Sequence, residues 1–176
     1  MGRIITGTTP SKDNNIYWEN GNIAWITPTD ITYYKDINSS STLLTSEGLK
    51  KGRFIPKNSI LITCIASIGK NAKLLVDGSC NQQINAIIPD KQYNSDYIYY
   101  LMEYMEPYFK SIAGTTATSI INKETFENIK VKIHSSEKRE FIGNFLNYFE
   151  NKILLEDLKL ENLRKLKKGL MQNMLV

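Results

Sequence analysis

The chain has 176 residues, 41% of them hydrophobic, and its 22 Lys and Arg against 18 Asp and Glu leave a net charge of +4. That length suits one globular domain with an appendage, and the apolar content can build a core. The charge excludes a polycation in either half: residues 135–176 carry eight basic and six acidic side chains, leaving fourteen and twelve for the first 134. Any nucleic-acid contact must therefore come from local placement. Cys64 and Cys80 are too few for a disulfide scaffold and lack metal-ligand spacing, so reduced thiols and a cytoplasmic location are expected. With no signal peptide or apolar run of membrane length, Asn38-Ser39-Ser40 reads as a chance sequon.

In chain order, residues 22–27 (NIAWIT) predict a short strand around a buried Trp25. Residues 59–65 (SILITCI) are β-branched and nearly continuous, a strand covered on both faces. Residues 73–76 and 85–88 read as further strands, the latter closed by Pro89. Asn94-Ser95-Asp96 caps a tyrosine-rich helix in which Pro107 marks a break. Asn122 caps a short helix, KETFENI, which leads into an alternating strand over 130–133 that the single histidine, His134, ends. Ser135 or Ser136 then caps the last helix. The fold class is α+β: a mixed α/β domain over residues 1–134, then a long C-terminal coiled-coil helix over 135–176.

That helix carries a three-four apolar stripe. Steps from Ile142 run through Leu146, Phe149, Ile153, Glu156, Leu160, Leu163, Lys167, Leu170 and Met174, with no proline and with Gly169 off the stripe. Sustained alternation of this kind is a coiled-coil seam, which needs a second helix. Glu156 and Lys167 break the seam and suggest a register. In an antiparallel pair, facing residue numbers share one sum, and 323 sets Leu160 against Leu163, Ile153 against Leu170, Phe149 against Met174 and Glu156 against Lys167. A slip of one heptad leaves each charge against an apolar side chain, and an in-register parallel pair sets like charges together. An antiparallel homodimer is expected, with its axis beside Asn162. The basic run Arg164, Lys165, Lys167 and Lys168 reads as a solvated face near a helix C-terminus.

Catalytic signatures are missing. No Asn-Pro-Pro-Tyr motif for base methylation is present, and no glycine-rich loop for a methyl donor or dinucleotide. Gly69-Lys70 lacks the other residues of a phosphate loop, and one histidine leaves no room for a triad. No bond chemistry, cofactor or metal site is expected. Three polar loops stand out instead: 8–18 (TTPSKDNNIYW), 80–85 (CNQQIN) and 113–123 (AGTTATSIINK). Asn and Gln can pair bidentately with adenine edges, while Lys, Ser and Thr hold phosphates. Lys12, Asn14, Asn15, Lys70, Asn81, Gln82, Thr115, Thr116 and Ser119 form the candidate DNA-facing set, although such residues more often cap turns and fill loop hydrogen bonds.

The ordered residues Gly7, Thr9, Pro10, Ser11, Tyr17, Trp18, Gly21, Ile23, Trp25, Ile26 and Asp30 resemble the opening of the target recognition domain of type I restriction-modification specificity subunits. The resemblance continues through IPKNSILITCIASIGK, CNQQINAIIP, the tyrosine-rich helix and GTTATSIINKETFENIKV, and ends on RKLKKGLMQNML, which looks like the family's helical spacer. Specificity subunits usually carry two recognition domains and two spacers, whereas this chain has one of each and a short start, so a half-sized form is expected. The resemblance implies a non-catalytic subunit that reads double-stranded DNA and directs an adenine methyltransferase to a bipartite site. The modification subunit would be its partner, joined by a restriction subunit in a nuclease complex and by a second half subunit. Pro10, Trp18, Gly21 and Trp25 would hold the fold. Two alternatives stand beside this: an assembly subunit that binds modification subunits without reading DNA, and a detached recognition domain of a fused restriction-methylation enzyme.

Overall fold

A computed structural model describes residues 1–113 and 120–175. Thr115, Thr116 and Ser119 lie outside the described residues. The elements are β1 (Gly2–Thr6), β2 (Ile23–Ile26), β3 (Asp36–Ile37), β4 (Leu43–Leu44), α1 (Ser46–Lys51), β5 (Ile60–Thr63), β6 (Asn71–Leu74), β7 (Gly78–Cys80), β8 (Ile84–Pro89), α2 (Ser95–Tyr104), α3 (Glu106–Ile112), α4 (Lys123–Glu127) and α5 (Ser136–Met174).

Every residue of β5 is buried, because the strand lies in the middle of a five-stranded sheet with packing on both faces. Its alternation sorts the core: Ile60 and Ile62 face α2, α3 and α4, whereas Leu61 faces a second sheet. The first sheet has the order β1-β8-β5-β6-β3, antiparallel except for the β3–β6 pair. The second has the order β4-β2-β7, with β2 parallel to β7. Between the sheets lie Ile26, Ile55, Leu61, Leu74, Cys80 and Ile84. Burial pushes the Cys64 thiol up to about 11 and the Cys80 thiol to about 12, so both are inert packing groups.

The predicted elements are found with three adjustments. The strand expected over 73–76 begins at Asn71 and leaves the sheet after Leu74. The helix before Pro107 stops at Met105, where a second one starts with the proline in its first turn. The strand expected over 130–133 is absent. Ile129, Val131 and Ile133 line one wall of an apolar recess with Met1, Ile4 and Phe126, but the backbone there has no ladder partner. The alternation of that segment records one-sided packing and not pairing. His134 sits just before α5, its Nδ1 3.0 Å from the Tyr97 hydroxyl.

At about 1.5 Å per residue the 39 residues of α5 span on the order of 60 Å. Its first turns lie against α2. Gly143 is buried there, because a Cβ would stand 2.9 Å from Asn94 Oδ1 and 3.0 Å from the Tyr97 nitrogen. Ile142 packs on the core, so the first step of the stripe is spent on the chain's own domain. Beyond residue 150 nearly every side chain is exposed. No helix among the described residues is long and apolar enough to cross a membrane.

Candidate nucleic-acid interface

Five loops meet at one end of the two sheets and surround a groove of about 610 Å³. They supply Thr9 and Lys12, Thr27 to Thr29, Ser41 and Thr42, Ile65 to Ser67, and Asn81 to Gln83. The two tryptophans fasten the first loop. Trp25 Nε1 donates to the Thr8 carbonyl at 3.2 Å, Trp18 Nε1 donates to the Ser11 carbonyl at 2.9 Å, and the rings meet edge to face at 5.0 Å. Gly7 lets this loop cross β7: a Cβ there would lie 2.2 Å from the carbonyl oxygens of Cys80 and Asn81. The same approach allows Thr8 to donate its N–H to the Cys80 carbonyl at 2.9 Å.

The Asn81–Gln83 turn is braced from within. Asn81 is buried, donates from Nδ2 to Gln83 Oε1 at 3.0 Å and accepts the Gln83 N–H on Oδ1 at 3.0 Å. Between them Gln82 projects, its Oε1 accepting the Thr9 hydroxyl at 2.5 Å. That bond uses one lone pair and leaves Gln82 with a second acceptor site and two N–H donors, the set that pairs with an adenine edge. The Gln83 carbonyl accepts from the Cys64 N–H at 2.8 Å, which ties this turn to the β5–β6 loop. In that loop Ala66 holds φ at +63°, a left-handed conformation costly for a residue with a Cβ, on the wall of the groove.

Asp30 closes the Thr27–Asp30 turn from behind. Burial alone would raise its carboxyl, but hydrogen bonds from the Ser41 N–H and from the Thr27 hydroxyl and N–H outweigh it and hold the group below its usual range. The acid is thus occupied by the scaffold. Among the described residues no acidic side chain lines the groove, and Lys12 is the one charged group there. What remains is hydroxyl and amide chemistry around one cation, which suits the edges of bases and phosphate oxygens. Among the described residues no cluster of His, Cys, Asp and Glu could hold a metal ion.

Of the nine sequence-predicted residues, the structure brings Lys12, Asn81 and Gln82 into this groove. Lys70 lines an adjoining depression with Ala66, Ser67 and Lys110. Asn14 and Asn15 stand on a single 3-10 turn beyond Lys12, where Asn14 accepts from the Ile16 N–H and Asn15 donates to Glu19. The segment with Thr115, Thr116 and Ser119 is described only at its borders: Ala113 lines the Lys70 depression, and Ile120 pairs with Ile65 beside the groove. Sequence reasoning missed Thr29, Ser41, Thr42, Ser67 and Gln83. Their positions between short strands gave no periodic signal, although Gln83 adjoins a residue already chosen.

Comparison with known proteins agrees with this geometry. Residues 1–165 match the family described as Type I restriction modification DNA specificity domain. The chain is 33% identical over 168 residues to the type I restriction enzyme MjaIX specificity subunit of Methanocaldococcus jannaschii, covering 92% of this chain and 38% of that protein. Over 170 residues it is 31% identical to the HindI specificity subunit of Haemophilus influenzae, covering 89% and 37%. The chain therefore spans less than two-fifths of the length of these relatives. Among solved structures, a chain from a study of complex assembly and conformational transition of the type I R-M system superposes with a TM-score of 0.71 at 16% identity, over 94% of this chain and 40% of that one. The HsdS subunit from Thermoanaerobacter tengcongensis gives 0.66 at 15%, over 87% and 36%, so the fold is shared. With its ordered loop motifs, two-sheet body, long C-terminal helix and near full-length family match, the chain belongs to the type I restriction-modification DNA specificity family.

Proposed function

We propose that this chain is a non-catalytic DNA-reading subunit that directs an adenine methyltransferase, and in a nuclease complex a restriction subunit, to a bipartite site. The single observation that carries the reading is the groove itself: five loops on the two-sheet body converge on amides and hydroxyls, with Lys12 and no acid among the described lining residues. Residues 1–134 act as the recognition domain and 135–176 as the spacer and dimerisation helix. Lys12, Asn14, Asn15, Lys70, Gln82, Thr115, Thr116 and Ser119 meet the duplex, and Asn81 acts by bracing Gln82 and Gln83.

Two copies pair through the helix seam in antiparallel fashion. Phe149, Ile153, Leu160, Leu163, Leu170 and Met174 are all exposed, and Leu163 keeps 62% of its surface. Leu155, Leu158 and Leu166 lie off that seam and are also exposed, which leaves an apolar side for a helix of the modification subunit.

Selection of bound duplexes from a random library, at several salt concentrations, tests the reading. A consensus of two defined halves around an unread spacer is expected. No enrichment would point to a subunit that assembles complexes without reading DNA. Each true base contact replaced by Ala should cost roughly 1–3 kcal/mol and relax one position, whereas a lost phosphate contact should weaken all sequences alike. The purified chain alone should transfer no labelled methyl group to DNA.

A further inference from the structure

Lys35 is only 4% exposed, an unusual place for a lysine. Its ammonium donates to Asp96 Oδ1 at 2.5 Å and to Asn147 Oδ1 at 2.6 Å, and lies 3.5 Å from Asp36. Lys73 closes the other side, with Nζ 3.0 Å from both Asp96 oxygens. These partners belong to separate parts of the chain: Lys35 precedes β3, Lys73 is on β6, Asp96 opens α2, and Asn147 lies on α5. Above the ammonium stand the Tyr99 and Tyr100 rings, 5.9 and 6.0 Å away. Among the described residues Asn147 is the last position of α5 to hydrogen-bond with the body. One turn further along α5, the charge of Glu150 adds to burial in raising the Glu103 carboxyl.

We propose that the Lys35–Asp96–Asn147 junction fixes the angle at which α5 leaves the recognition domain, and so sets the number of unread base pairs between the two recognised halves. The proposal rests on the DNA-reading function above. A buried ion pair is a poor source of net stability, because desolvation offsets its attraction, but it tolerates little displacement and is suited to fixing geometry. Asn144 and Glu140, which meet Asn94, set where the helix starts, and Asn147 supplies the second polar point that fixes its direction. Leverage makes that direction matter. From Asn147 to Met174 the helix extends about 40 Å, so a swing of roughly 5° moves its end by about 3.4 Å, one base-pair step. A loosened junction would let neighbouring spacings be read almost equally well, without altering the bases recognised in either half. Lys35 and Asn147 are thus positioning residues.

The test uses full-length chain and duplexes whose halves come from the selection above, separated by the preferred spacer or by one base pair more or less. For the unaltered protein, binding should fall on the order of tenfold at a wrong spacing, because DNA or protein must deform to fit. Asn147→Ala should shrink that ratio to within about threefold, with single-half binding unchanged. Asn147→Asp, which keeps an acceptor for Lys35, should restore it. Lys35→Met, which leaves Asp96 paired with Lys73, should behave as Asn147→Ala does. Unchanged spacing preference in Asn147→Ala, or an equal loss at single halves, overturns the proposal. A second arm needs no DNA: spin labels at Lys51→Cys and Lys168→Cys, in chains diluted with unlabelled protein, should give a distance distribution that broadens with Asn147→Ala and narrows again with Asn147→Asp. If no two-part consensus exists, the DNA-reading function fails while this arm still judges the junction; equal widths in all three proteins would refute it.

Discussion

The body and the long helix have similar proportions of apolar side chain, put to opposite use. In the body, Ile60, Leu61 and Ile62 vanish into two packed layers, and the short strands around them survive only because both faces are covered. In the helix, Leu160, Leu163, Leu170 and Met174 remain open, with Met174 at 79% exposure. The body encloses its own core. The outer helix encloses nothing, and a long exposed helix of this kind depends on packing more than on propensity. Apolar content therefore says how much must be buried, while its periodicity and the presence of strands alongside say against what.

The largest expected break lies in the body. Leu61→Ala removes a side chain with no exposure between the sheets, and denaturant unfolding should report a loss of about 2–5 kcal/mol. Leu163→Ala, the same change on the helix, should leave unfolding of the dilute monomer within about 0.5 kcal/mol yet shift the dimer to monomer in sedimentation. If both changes destabilise the monomer equally, the contrast between the regions is wrong.

Register sharpens the comparison further. Leu160→Cys combined with Leu163→Cys in a second copy should crosslink between chains under mild oxidation. Bonding only between identical positions, or a monomer at micromolar concentration, would remove the antiparallel arrangement.

Acidity separates the junction from both regions. Burial would raise the Asp96 carboxyl, but the hydrogen bonds and charges of Lys35 and Lys73 outweigh it and hold it below its usual range. The folded form thus releases this proton more readily than the unfolded one. Its stabilisation is complete above the ordinary aspartate range and is lost as pH falls through the depressed value. Glu103 has the opposite sign: burial first, then Glu150 and Glu106, raise it. Its charge therefore costs stability as pH rises through the window between the ordinary glutamate value and the raised one. Melting temperature against pH should show a shallower acid limb in Asp96→Asn and a gain near neutrality in Glu103→Gln. Identical profiles would show that neither group is coupled to folding.

The smallest effect concerns the free helix. Glu156 pairs with Lys159 three residues on, 2.6 Å away and open to solvent. Glu156→Gln should alter monomer stability by less than about 0.5 kcal/mol, while weakening the preference for the 323 register in mixed crosslinking. A change of several kcal/mol in the monomer would mean that this stretch is packed after all.

Much of the architecture was legible in the residues. The unbroken apolar run of β5, the Asn94 and Asn122 caps and the α5 stripe each follow from one local rule, and each is found. The strands β3, β4 and β7 were not legible. They have two or three residues, Gly78 and Ser79 carry no strand preference, and the pairing partners that define them are distant in sequence. β1 went unread for another reason: its short GRIIT run adjoined the chain start, and only β8 makes it a strand. Gly143, which marks where α5 rests on α2, escaped a reading centred on the seam. The site was half legible. Composition pointed to the Asn81–Gln83 turn, but only the fold shows Asn81 turned inward as a brace and Ser41, Thr42 and Ser67 brought beside it from elsewhere in the chain. Lys35 could not be found at all, since a lone lysine before a two-residue strand looks like any solvated charge.

The open far end of α5 also bears on the lifetime of the chain. A Cβ at Gly169 would meet no atom within 4 Å outside the surrounding helix backbone, and the lysines at 165, 167 and 168 stand among exposed leucines and methionines. Without a companion this stretch should fray, because beyond its backbone bonds only solvent-exposed pairs such as Glu161–Lys165 hold it helical. A protease that prefers basic or apolar residues then meets an unfolded, cleavable tail on an intact body, and limited digestion of the isolated chain should clip it there first. Assembly would hide the same residues. An unpaired copy should therefore be cut sooner than a paired one.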